Sequence, residues 1–241
     1  IVMFFIINAI MGISIYFTLA SGQLSLGAAG FMSVGAYVGA MLSLKADLPI
    51  IVGIIIGGLV ASLVAVIIGL PTTRLRGLYL AIATLGFGEV VRVIFLNLDV
   101  TNGALGLSGI PSIPQELTNY AYEFDIDGLM GLDAVTWGNL MAIIILLVVL
   151  ALIIAFCVRI NNSRVGRAFA AIKADDHAAE LMGINVVYYK MMAFIIGAFI
   201  AGIGGGLYAH ITNFINPTDF SYHKVVQILL FPVFGGSNVV W

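Results

Sequence analysis

Glu89 and Arg92 lie three positions apart inside an apolar run, LGFGEVVRVIF, and are the residues of this sequence best placed to do chemistry. On a helix that spacing puts carboxylate and guanidinium on one face, where they can pair, and pairing is how charge inside a membrane span is tolerated. Two readings stay open: a structural ion pair near the membrane interface, or a role in a transport pathway or its gate. Glu89 is the one acid deep in a predicted span, which argues against an acid-rich proton relay. Other reactive residue types are scattered. His177, His210 and His223 lack metal-ligand spacing and read as satisfied interfacial residues, so no metal is expected. Ser25 and Ser108 have no His/Asp context, so no hydrolase is expected. The phosphate-cradling pattern G-x-x-x-x-G-K-[ST] does not occur, and GIGGGL at 202–207 falls in a span. The chain is therefore expected neither to be an enzyme nor to hydrolyse nucleotide itself.

A second concentration of ionisable groups runs from Arg164 to Lys190, where Arg167, Lys173, Asp175, Asp176 and Glu180 also fall. The stretch predicts a helix from Arg164 to Met182, with Asn162 or Ser163 to cap its start and Gly183 to end it. Phe169, Ile172, Ala179 and Met182 follow helical spacing and form an apolar stripe. The acids would be repelled by anionic lipid, so the expected use of that stripe is to anchor the helix in a groove on a cytoplasmic partner.

The elements that must position these groups are membrane helices. The chain of 241 residues is 61% hydrophobic and 9% charged, with net charge −2, against roughly a quarter charged in a soluble domain. Lacking a polybasic cluster, it offers nothing for nucleic acid to bind; its surroundings are lipid. The expected architecture is all-α, a polytopic transmembrane helix bundle treated as one domain over 1–241 with both ends apparently truncated. Uninterrupted hydrophobicity gives spans at about 1–20, 27–44, 50–70, 77–98, 136–158 and 190–210, with a seventh begun near 225. Residues 99–135 hold six acids and no Lys or Arg, whereas Arg159, Arg164, Arg167, Lys173 and Lys190 fall in 159–190. The positive-inside bias makes 99–135 an external loop and 159–189 a cytoplasmic one, and counting spans then puts Arg74 and Arg76 inside too. Lone Cys157 lies in an apolar run, with no partner for an internal disulfide.

Small residues recur every fourth position at Gly53, Gly57, Ala61 and Ala65, at Ala198, Gly202 and Gly206, and at Gly35 and Gly39. That spacing lets helices approach closely in lipid; a glycine-lined pathway is the alternative. The stretch FTLASGQLSLG breaks an apolar region with Ser21, Gly22, Gln23 and Ser25. It is either a broken or re-entrant segment lining the pathway, with Gln23 and Ser25 as candidate pathway or gate residues beside Glu89 and Arg92, or a short cytoplasmic turn.

Four segments together resemble one family. SRVGRAFAAIKADDHAAELMGINVVYYKMMAF is similar to the cytoplasmic coupling loop of ABC importer permeases. SGQLSLGAAGFMSVGAYVGAML, LRGLYLAIATLGFGEVVRV and NGALGLSGIP resemble further signatures of the M-type subunit of branched-chain amino acid permeases, in that family's order. The resemblance implies a prokaryotic inner-membrane permease subunit. Its partners would be a second homologous permease subunit, two cytoplasmic ATPase subunits that hold ATP and Mg, and an extracytoplasmic substrate-binding protein. No cofactor is expected on this chain. By position Asp175, Asp176, Ala178, Ala179, Glu180 and Gly183 would form the ATPase-coupling site, and Asn102, Gly103, Gly106 and Ser108 would face the binding protein. The implied cargo is a branched-chain amino acid; urea, short amides or another amino acid are alternatives within the class, and a stand-alone secondary transporter is the alternative outside it.

Overall fold

The computed structural model describes residues 1–72, 75, 77–123 and 133–235. Six of its helices are long and apolar enough to cross a membrane: α1 (Val2–Ala20), α2 (Ala28–Lys45), α3 (Ile50–Thr72), α4 (Leu78–Asn97), α6 (Ala134–Asn161) and α9 (Val186–Thr212). Between them stand α5 (Ile113–Glu123), and α7 (Arg164–Ala174) with α8 (Asp176–Leu181) in the expected cytoplasmic loop. The helix α10 (Tyr222–Gly235) occupies the place of the expected seventh span. All six expected spans are helices, with ends shifted by a few residues. Arg74 and Arg76, used to orient the topology, lie outside the described residues, as does 124–132 of the external loop.

In lipid the hydrophobic effect does not press helices together, so contact depends on close packing. The small residues supply it. A Cβ on Gly57 would stand 2.6 Å from the carbonyl oxygen of Gly35, and one on Gly202 would stand 2.7 Å from the Ala61 Cβ and 2.9 Å from the Gly58 Cα. A Cβ on Gly35 would collide with the Gly202 backbone, and one on Gly205 with the carbonyl of Met32. Backbone therefore meets backbone where α2, α3 and α9 cross. The four-residue repeats are packing surfaces, as the spacing predicted. Helix α2 is buried on nearly every side, whereas α6 turns most of its length outward.

One feature had no sequence signal. Leu107–Ser108 (β1) pairs antiparallel with Phe214–Ile215 (β2), Leu107 opposite Ile215. This clasp joins the loop after α4 to the end of α9. Gly106, at φ +75°, allows the close approach, since a Cβ there would collide with the Ile215 carbonyl. Beyond β2 the chain turns back through a 3-10 helix, Pro217–Phe220, capped by Asn216. It then starts α10, which packs on α1 at Gly12.

The junction yields a stability prediction. Gly205→Ala should destabilise the full-length protein by about 3 kcal/mol or more, because neither backbone can retreat. Gly86→Ala, whose Cβ would meet nothing within 4 Å, should be neutral or stabilising by up to about 1 kcal/mol through helix propensity. Thermal unfolding of the two variants in detergent is the check.

Candidate functional site

The charged stretch from Arg164 folds as two helices, not the single Arg164–Met182 helix expected. Asp175 has extended backbone, φ −160° and ψ 116°, and its carboxylate accepts from the backbone N–H of His177 at 2.8 Å and of Ala178 at 3.1 Å. It starts a new helix and thereby ends the previous one. These two amides hold the fully exposed Asp175 carboxyl below the usual carboxylate range, the Ala178 amide contributing most. Ser163, not Asn162, caps α7, accepting from Val165 N–H. Gly183 ends α8 as expected: at φ +81° it lets its N–H reach the Glu180 carbonyl while Ile184 N–H reaches that of Ala179, a Schellman closure.

The predicted stripe is also corrected. Phe169, Ile172 and Ala179 are buried against the protein's own bundle, Phe169 meeting Tyr189 of α9 edge to face. Those three side chains hold the helix pair to the rest of the protein. Met182 points outward instead. It and Leu181, 83% and 89% exposed, stand beside Ala178, Glu180 and Gly183 at the tip of α8. Of the six predicted coupling residues, two are engaged with the protein itself: Ala179 is buried, and Asp176 pairs with Lys190, a buried residue in the first turns of α9. This pair, fourteen positions apart, had no local spacing signal.

The broken segment meets the same helix pair. Between α1 and α2 the chain turns at Gly22, φ +74°, where a Cβ would stand 3.3 Å from the Lys173 Cα of α7. The segment is thus a turn at the end of the bundle that carries α7 and α8, with Ser21, Gln23 and Ser25 buried and Gly22 and Leu24 exposed. Leu26 N–H donates to Thr84 Oγ1 at 2.9 Å, tying it to α4. Ser25 lines a cavity of about 10 Å³ with Ser14, Thr18, Phe31 and Phe194, at the lower limit for one water. Both polar atoms of the Gln23 amide lack a hydrogen-bond partner among the described residues.

Glu89 and Arg92 do pair, Nε to Oε2 at 2.7 Å, away from the cytoplasmic cluster. Glu89 Oε1 accepts a second bond from Tyr222 N–H, 3.1 Å, so the start of α10 is fastened to mid-α4. Of the four external candidates only Asn102 and Ser108 are exposed. Gly103 and Gly106 serve the loop's own backbone, with φ +52° and +75°. Sequence reasoning took His210 for an interfacial residue; it is satisfied but fully buried, with Nδ1 2.7 Å from the Gly206 carbonyl and Nε2 2.9 Å from Ser43 Oγ.

Comparison with known proteins agrees with this architecture. Residues 1–240 match the family model described as branched-chain amino acid transport system, permease component. The chain is 34% identical over 244 aligned positions to the high-affinity branched-chain amino acid transport system permease protein LivM of Escherichia coli, and 32% over 242 to that of Salmonella typhimurium. Each alignment covers 96% of this chain and 55% of the relative, so the chain spans about half the length of the curated relatives it matches. No solved structure matches it significantly.

Two outcomes follow from the helix pair. Asp176→Ala strands the Lys190 ammonium and should cost about 2 kcal/mol, most of it regained in Asp176→Asn/Lys190→Met, as thermal unfolding would read. Because the folded Asp175 carboxyl is depressed, its capping contribution is complete above the unfolded value of about 3.9 and disappears as pH falls through the lower folded value. Hydrogen-exchange protection of the His177 and Ala178 amides should therefore hold at pH 5 to 8 and weaken in acid, and Asp175→Asn should remove that dependence.

Proposed function

The chain belongs to the family of permease components of branched-chain amino acid transport systems, and from that premise we propose that it is a membrane-spanning subunit of an ATP-driven importer moving branched-chain amino acids across the inner membrane. In this reading a second homologous permease subunit lies beside it, an extracytoplasmic binding protein delivers solute to the Asn102–Ser108 side, and two cytoplasmic ATPase subunits hold ATP and Mg.

The observation that carries the proposal is the tip of α8. Leu181 and Met182 are large, apolar and almost fully exposed on the cytoplasmic side, next to Glu180 and a Schellman-closed Gly183. An apolar knob held rigidly in water is costly unless a partner covers it. The rest of the pair is built to pass a push inward. Asp176 is paired with Lys190 of α9, Phe169 and Ile172 are buried in the bundle, and Lys173 abuts Gly22 of the α1–α2 turn, itself bonded to Thr84 of α4. Displacement of α8 by closing ATPases would thus reach α9, α2 and α4 as rigid pieces, the ordinary mode of alternating access. The relatives' names favour branched-chain amino acids over urea or short amides as cargo.

Co-purification of the full-length protein with its ATPase and second permease subunits tests this. Leu181→Asp/Met182→Asp, at positions that leave the fold undisturbed, and Glu180→Lys should each lower the ATPase recovered at least 10-fold while keeping the second permease subunit. Wild-type recovery in the double variant would place the ATPase contact elsewhere and defeat the reading.

A further inference from the structure

An ion pair sits near the middle of α4, one of the helices long and apolar enough to cross a membrane. Glu89 lies eight residues before the end of α4 at Asn97 and eleven after its start at Leu78, so at 1.5 Å per residue it is about 12 Å from one end of the span and about 16 Å from the other. Arg92, its partner at 2.7 Å, retains 25% of its side-chain surface exposed and Glu89 32%, on the outside of the bundle. Lipid does not solvate such groups, so that face must meet protein or water. The pair keeps part of both side chains accessible from outside the chain.

The surroundings are built to match. The Arg92–Glu89 bond uses Nε, one of the guanidinium's five donors, and the other Glu89 oxygen is directed by the first amide of α10, Tyr222 N–H. One turn beyond Arg92, Phe95 stacks on Tyr37, ring centroids 4.3 Å apart. Tyr37 is fully buried, and its hydroxyl has no partner among the described residues. On the first turn of α10, the Lys224 ammonium lies over the Tyr208 ring, 5.1 Å from its centroid. Within one turn of α4 the chain thus presents a part-exposed carboxylate and guanidinium, with no net charge from the ion pair, over a buried aromatic pair that backs the same stretch of helix.

We propose that this face reads the zwitterionic end of the transported amino acid, Glu89 taking the ammonium and Arg92 the carboxylate, as the solute passes between this chain and the second permease subunit. The inference rests on the importer reading above. A free amino acid carries its two charges on groups attached to one carbon, so a carboxylate and guanidinium held side by side offer a complementary dipole. That dipole offsets the desolvation of the solute at mid-membrane. Because the pair is neutral as a whole and satisfied without solute, it holds the solute weakly enough to release it, as conduction requires.

The test uses the complete assembly, with both permease subunits, ATPases and binding protein, in proteoliposomes, and reads leucine uptake, subunit composition and unfolding temperature. Removing both partners of an ion pair is nearly neutral for a purely structural pair, so Glu89→Gln/Arg92→Gln separates the two roles. The expected result is uptake lowered at least 10-fold in that variant, with wild-type composition and unfolding temperature. The charge-retaining Glu89→Asp/Arg92→Lys should keep at least a third of wild-type uptake. Uptake within twofold of wild type in the Gln/Gln variant would overturn the inference and leave the importer reading intact. Loss of the second permease subunit from that variant would make the face an assembly contact and equally overturn it. A wild-type assembly that takes up no leucine would defeat the importer reading and this inference together.

Discussion

Backbone contact among α2, α3 and α9 is the constraint on which the rest of the molecule depends. Inside a membrane, helices gain little from burying apolar surface, because lipid tails are as apolar as the side chains they replace. What remains is dispersion and close approach, and both need side chains to be absent. Gly35, Gly57, Gly202 and Gly205 remove them where the three helices cross, leaving no room for a methyl group. So tight a junction fixes α9 against α2, and α9 runs from Lys190, paired with Asp176 of α8, to His210, bonded to Ser43 of α2.

The polar side chains follow from the same dryness. Ser14, Thr18, Ser33 and Thr84 return their hydroxyls to carbonyls three or four residues back on their own helices. His210 and Ser43 satisfy one another and nearby carbonyls. Against that background the exceptions among the described residues stand out: the Gln23 amide between α1 and α2, the Tyr37 hydroxyl on α2, and Asn213 Oδ1 at the end of α9. Buried groups without partners are costly.

Function and stability divide the charged residues between them. Lys190 and Asp176 hold the helix pair to α9, and the Asp175 carboxylate starts α8. Glu180, with Leu181 and Met182, is left to the solvent face. An opening stripe of Phe169, Ile172 and Ala179 that looks like a partner's anchor is the anchor to the protein itself. Both uses demand apolar residues at helical spacing, so spacing alone does not tell them apart.

Composition and periodicity by themselves determined the six spans, the glycine faces, the presence of a capped helical element ending at Gly183, and the Glu89–Arg92 pair. Each of these depends on residues within a turn or two of one another, or on the cost of placing a residue type in lipid. Tertiary structure alone decided the rest. It paired Asp176 with Lys190, set Gly22 against Lys173, bonded Tyr222 to Glu89 and Ser43 to His210, and closed β1 on β2. These are contacts between segments far apart in the chain. Which distant groups meet is set by how helices cross, and crossing is governed by the shape of whole faces, which no local pattern records.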